Sequence, residues 1–168
     1  RCVSVPEEVV ALRPRSRHAP ERAVHVSCGS RHSICVTAAG KLLAWGDNSR
    51  GALGLADATQ DGATGAAIEH TPTAVDLSPC LPPSGSYRVA HASAGGAHTV
   101  AMVHLQPSCR VVLLAAGSNA HGQLGTGGFD HSNRFAVVGG ARAEQRTLPA
   151  IGFGTTAGSK EQGGTRAD

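Results

Sequence analysis

Apolar and polar positions along this chain alternate with a period of two. Val24, Val26 and Cys28 alternate with His25, Ser27 and Gly29, the spacing that sends successive side chains to opposite faces of a strand. Two short apolar runs follow, residues 33–37 and 41–45, on either side of Ala39 and Gly40. A glycine-bearing connection between two such runs predicts a β-hairpin. Residues 99–105 and 110–115 predict a second, wider hairpin with Pro107 and Ser108 in its turn. No segment carries a 3.6-residue apolar stripe long enough to require a helix. The longest apolar runs, such as residues 111–116, are far short of the roughly 20 residues a membrane-spanning helix needs.

The alternation is part of an internal repeat. His25-Val-Ser-Cys-Gly29-Ser-Arg-His32-Ser33 returns as His91-Ala-Ser-Ala-Gly95-Gly-Ala-His98-Thr99, sixty-six residues on. Trp45-Gly46-Asp-Asn48-Ser-Arg50-Gly51-Ala-Leu53-Gly54 returns as Ala116-Gly117-Ser-Asn119-Ala-His121-Gly122-Gln-Leu124-Gly125, seventy-one residues on. The five residues gained fall near 105–109, in the predicted turn, where a hairpin tolerates insertion. Each unit has a similar lead-in, at 6–12 and at 72–77. The chain therefore divides into a lead-in strand and basic loop (1–23), a first repeat (24–71) and a second (72–128). A degenerate third unit (129–157), with a poor match at 151–156, and a mobile Gly-rich tail (158–168) complete it. Small residues crowd the strand at Ala90, Ala92, Ser93 and Ala94, which suits sheets converging on an axis. Short strands, periodic turns and a repeat of this length predict stacked four-stranded β-blades, as in a propeller.

These blocks resemble the regulator of chromosome condensation repeat. The likeness rests on Gly29-x-x-His32-Ser33 and Gly95-x-x-His98-Thr99, each followed by a hairpin and then by the Trp45–Gly54 or Gly117–Gly125 block, and it covers about residues 6–127. Ala116 stands where the family usually has tryptophan, and Ala39 where a turn aspartate is usual. The resemblance implies a seven-bladed β-propeller. A ring of seven such units needs roughly 400 residues or more, against 168 here. The expected fold is therefore all-β, a partial propeller of two to three blades and a fragment of a larger ring. Each end sheet would leave roughly 500 Å² of apolar face bare, on the order of 10 kcal/mol, so neighbouring blades or a partner chain are expected to cover it.

Composition adds few candidate chemistries. Fifteen Lys and Arg against twelve Asp and Glu give a net charge of +3, too little to argue for nucleic acid. The basic run at 13–18 is broken by proline and reads as a solvated loop. Cys2, Cys28, Cys35, Cys80 and Cys109 are odd in number and form no Cys-x-x-Cys pair, and no Asn-x-Ser/Thr sequon occurs; both features point to reduced thiols in an intracellular protein. A start at Arg1 without a signal segment suggests a processed product or a stretch of something longer. His25, Cys28 and His32 have a zinc-like spacing, but Ala94 replaces the cysteine in the second unit, and His25 and Cys28 point to opposite strand faces. No metal is expected. Gly152-Phe-Gly154-Thr-Thr-Ala157 fits a dinucleotide motif formally, but Pro149 spoils the strand before it and Gly163-Gly164 the helix after it. No cofactor is expected, and no catalytic motif is found.

The recurrent Asn48 and Asn119 read as braces of their turns. Arg50 and His121 differ between the units and are the candidate partner contacts. The expected role is a non-catalytic protein–protein interaction scaffold. The resemblance also implies two alternatives. One is guanine nucleotide exchange on a small GTPase, as the family's founding member performs for Ran. The other is chromatin or RNA binding.

Overall fold

A computed structural model describes Val9, Leu12 and residues 21–55, 68–83 and 85–139. The described residues are all-β. Strands β1 (Ala23–Cys28), β2 (His32–Thr37), β3 (Leu42–Asp47) and β4 (Ile68–Ala74) form one sheet. Strands β5 (Ser86–Ala94), β6 (His98–Gln106), β7 (Val111–Gly117) and β8 (Ser132–Val137) form another. Each sheet is antiparallel and follows chain order, which is the meander of a propeller blade. A 3₁₀ turn at Ser78–Cys80 lies between the two blades. The basic run at 13–18, the match at 151–156, the dinucleotide-like motif and the tail lie outside the described residues.

The fourth strands fall across the sequence units. Strand β4 spans the boundary between 71 and 72, and β8 occupies positions 132–137, within the segment assigned to a third unit. Among the described residues both are edge strands, hydrogen-bonded on one side, to β3 and β7 respectively. An edge position admits the polar Glu69-His-Thr-Pro72-Thr and Ser132-Asn-Arg sequences, proline included.

The blades pack face to face around one apolar core. Ile34, Val36, Leu42 and Ala44 of the first blade meet Val89, Ala92, Ala101, Val103 and Leu114 of the second. Val75 and Leu77, from the connection, close the cluster. Burying each large side chain of this kind is worth about 1.5–3 kcal/mol. The first hairpin is fastened to the second blade by backbone and side chain. The Val89 N–H donates to the Gly40 carbonyl at 2.9 Å, and Arg88 Nη2 donates to the Ala38 carbonyl at 2.7 Å.

The period-two pattern of β1 is present, but with its sides opposite to those of a free-standing sheet. His25 and Ser27 turn toward the second blade, while Val24 and Val26 are 49% and 61% exposed. On the second blade Val111 and Leu113 are 44% and 45% exposed. Each blade thus has an inner face spent on the other blade and an apolar outer face.

Candidate functional site

The repeated motifs lie at one end of the two blades, in the β1–β2 and β5–β6 turns and in the loops after β3 and β7. The Gly-x-x-His spacing lays the imidazole over the glycine. A Cβ on Gly29 would collide with the His32 ring and the Gly95 carbonyl, and one on Gly95 with the His98 ring. Gly46 and Gly117 take φ of 107° and 114°, a region L-residues avoid. A Cβ there would also sit 2.7 Å from the Cα of His32 or His98.

Next come two consecutive turns. The Gly51 and Gly54 N–H groups donate to Asn48 and Gly51 carbonyls, and Gly122 and Gly125 repeat this with Asn119 and Gly122, all at 2.8–3.0 Å. Asn48 Oδ1 accepts from the Leu53 N–H at 3.1 Å, and Asn119 Oδ1 from the Leu124 N–H at 2.9 Å. Leu53 and Leu124 are fully buried beneath. Asn119 does more than Asn48: its Nδ2 also donates to the Gly128 carbonyl at 2.9 Å, and its own N–H donates to His131 Nδ1 at 2.8 Å.

Three side chains of the first unit reach across to the second. His25 Nε2 bonds the Ala92 carbonyl at 2.8 Å, Ser27 Oγ accepts from the Ala94 N–H at 3.1 Å, and His32 Nε2 bonds Thr99 Oγ1 at 3.0 Å. All three pairs are 67 residues apart. Each residue therefore bonds the position just after its own counterpart. The Thr99 hydroxyl gives its one proton to the Ala52 carbonyl at 2.7 Å, so His32 must donate through Nε2–H. His32 is 4% exposed. Burial, and then the nearby His98, push its imidazole below the ordinary 6.5, with Asp47 opposing. Thr99 and Ala52 were not singled out from sequence; the recurring His-Ser and His-Thr pairs were the available signal. His25 also stacks on His91, ring centroids 3.9 Å apart.

Beside this relay an open cleft of about 420 Å³ is lined by Ser30, Arg31, Asp47, Ser49 and Arg50, with Gly96 across from them. Arg31, 81% exposed, faces Asp47 at 3.6 Å. The Asp47 carboxylate accepts from the Ser49 N–H at 2.7 Å, and hydrogen bonding from the Ser49 side chain, then from this N–H, followed by Arg31, holds it below the usual carboxylate range. Arg50 borders the cleft, and His121 occupies the equivalent exposed turn of the second blade. The zinc-like trio does not converge, since His25 and His32 are engaged across the blades. Among the described residues no group of three or more His, Cys, Asp or Glu could hold a metal ion.

The sequence profile of the regulator of chromosome condensation repeat matches residues 23–52 and again 39–102. The chain belongs to this repeat family. The second match starts in the first hairpin and ends in β6, so the family's sequence repeat is out of phase with the structural blade. Among members with curated sequences, the human X-linked retinitis pigmentosa GTPase regulator is 29% identical over 141 residues, 83% of this chain. The Xenopus laevis serine/threonine-protein kinase Nek9 is 34% identical over 117 residues, 70% of this chain. The chain spans only 12% of the length of each. The crystal structure of human WBSCR16 superposes with a TM-score of 0.54 at 21% identity, covering 76% of this chain and 29% of that one; the likeness is one of fold. Among the described residues no helix is long and apolar enough to cross a membrane.

Proposed function

We propose that this repeat-family chain is a non-catalytic protein–protein interaction module whose motif-loop end meets a protein partner inside the cell. The observation that carries the reading is how the loop residues divide. Asn48, Leu53, Gly51 and Gly54, with His32 behind them, are spent on internal bonds and close packing. Arg31, Ser49 and Arg50 around the cleft, and His121 in the next blade, are exposed and differ from unit to unit. A fixed scaffold with variable polar tips is how a repeat protein builds a recognition surface. The four described cysteines are free thiols, in keeping with an intracellular setting. The outer sheet faces would be covered by neighbouring blades or another subunit.

The test compares proteins captured from cells by the chain and by an Arg31→Ala/Arg50→Ala/His121→Ala variant of unchanged circular dichroism. Exposed arginine contacts at interface centres are worth about 1–2 kcal/mol each, so specific partners should fall about tenfold or more. An unchanged set of captured proteins would place the recognition surface elsewhere.

A second reading, guanine nucleotide exchange on a small GTPase, draws support from the GTPase regulator among the relatives. It predicts that the chain accelerates release of a fluorescent GDP analogue from a Ran-type GTPase. Unchanged release would remove it.

A further inference from the structure

The cleft among the motif loops exists because its two walls are made of different residues. At the β1–β2 turn the first unit carries Ser30 and Arg31, where the second carries Gly96 and Ala97 at the β5–β6 turn. After Trp45 the first unit carries Asp47, Ser49 and Arg50, where the second carries Ser118, Ala120 and His121. The long polar side chains of the first unit therefore stand opposite the smallest turn of the second, and about 420 Å³ stays open beside them. A space of this size suits a bound side chain or a short segment.

The two walls are fixed to each other. The Ser30 N–H donates to the Gly96 carbonyl at 3.2 Å, and the Asp47 N–H to the Arg31 carbonyl at 2.8 Å. The backbone that carries the charged groups is thus set before any ligand arrives, which lowers the ordering cost of binding. The charges do not cancel. Arg31 faces Asp47 at 3.6 Å, while among the described residues Arg50 has no carboxylate partner. Two guanidinium groups against one carboxylate leave one positive charge in the cleft. The Gly96 and Ala97 N–H groups, on the opposite wall, have no hydrogen-bond partner among the described residues.

We propose that this cleft takes a carboxylate side chain from an acidic segment of the protein partner, held between Arg31 and Arg50. A guanidinium grips a carboxylate through two parallel N–H donors. A single carboxylate matches the one uncompensated charge, whereas a phosphate, with nearly two negative charges, would also meet the Asp47 carboxylate. The cationic wall belongs to the first unit alone, so it sets the partner's register on the loop end. The inference rests on the reading of this loop end as the recognition surface, and names what the partner must present there.

The experiment titrates the chain into two fluorescein-labelled peptides and reads fluorescence anisotropy at low ionic strength. One peptide is Gly-Ser-Asp-Glu-Asp-Glu-Ser-Gly, and the other is its amide counterpart, Gly-Ser-Asn-Gln-Asn-Gln-Ser-Gly. The acidic peptide should bind and the amide peptide should not. Arg31→Gln and Arg50→Gln should each weaken binding roughly tenfold, the low end of what a hydrogen bond to a charged group contributes. Gly96→Asp should abolish it. Gly96 lies outside the left-handed region, and an added Cβ meets only Ser30 Oγ, at 3.6 Å, so the new carboxylate takes the ligand's place. Lys41→Gln removes the same charge in the β2–β3 turn, at the opposite end of β2 from Arg31, and should leave binding unchanged. Circular dichroism checks that each variant is folded, and Arg50→Gln, at an exposed position, carries the test if Gly96→Asp does not fold. Equal losses from Lys41→Gln and Arg50→Gln would show attraction to net charge alone and overturn the site. A wild-type chain that ignores the acidic peptide, or that binds a phosphoserine peptide of the same length in its place, would overturn the carboxylate as ligand. The loop-end reading is judged apart from this: it stands if the arginine variant loses captured partners while the acidic peptide does not bind.

Discussion

His32 and His98 occupy the same motif position, yet their removal should cost very different amounts. Replacing His32 by alanine deletes the donor to Thr99 Oγ1 and empties the space over Gly29. The Thr99 hydroxyl still donates to the Ala52 carbonyl, so no buried donor is orphaned. The lost bond is worth about 1 kcal/mol and the lost ring packing about 1–2 kcal/mol. The sum is about 2–3 kcal/mol. For a chain of this size each kcal/mol moves the melting temperature by about 2–4 °C, so His32→Ala should melt roughly 5–10 °C lower. His98 is half-buried and has no hydrogen-bond partner among the described residues, so His98→Ala should cost less than about 1 kcal/mol. The assay is thermal and urea unfolding. A double-mutant cycle of His32→Ala with Thr99→Val should show a coupling of about 1 kcal/mol. Equal melting shifts for the two histidines, with no coupling to Thr99, would refute the cross-blade relay.

Three further outcomes follow from the same geometry. The unfolded chain protonates His32 near 6.5, whereas the folded chain resists until lower pH. The stabilisation is therefore complete above that value and is lost as pH falls through the folded pKa; urea midpoints from pH 8 to pH 5 should show the loss, and His32→Ala should flatten it. Gly46→Ala and Gly117→Ala combine a left-handed φ with backbone collisions, and each should cost about 2 kcal/mol or more by chemical denaturation. Asn119→Ala should destabilise more than Asn48→Ala, about 2–3 against about 1 kcal/mol, because the Asn119 amide bonds both Leu124 and Gly128; equal costs would show that the Gly128 bond contributes nothing.

Much of the blade can be read in the sequence because its middle strands, β2 and β3, each pair with a neighbour on both sides. Strand β2 pairs with a neighbour on each side and must fill the core with Ile34 and Val36, so its pattern is dense. Strand β4 is harder to read. Among the described residues it pairs only with β3, and Glu69, His70, Thr71 and Pro72 lie outside the core cluster; an edge strand needs no apolar run. Strand β8 is similar, with Phe135 in the core and Val137 packed against it. In β1 the alternation is visible but not which set faces inward. Val26, one of the apolar set, is 61% exposed, because the inner face of β1 is shaped by histidine and serine reaching β5. The turn-building Asn48 and Asn119 can be read because each bond closes within five residues. The His32–Thr99 bond cannot, since it depends on how one sheet sits on the next.

That last difference bears on what the repeat encodes. Bonds from the first unit to the position after each counterpart mean that its motif histidines and serine serve the neighbouring blade more than their own. The stabilising terms of such an array lie in the interfaces between repeats. A motif residue facing a neighbour is structural, and the same residue on an outer face is an unspent hydrogen-bonding group. His32 and His98, alike in sequence, are the two cases side by side. The outer faces therefore combine exposed Val26 and Leu113 with polar groups set at the spacing of an interface the chain already makes once.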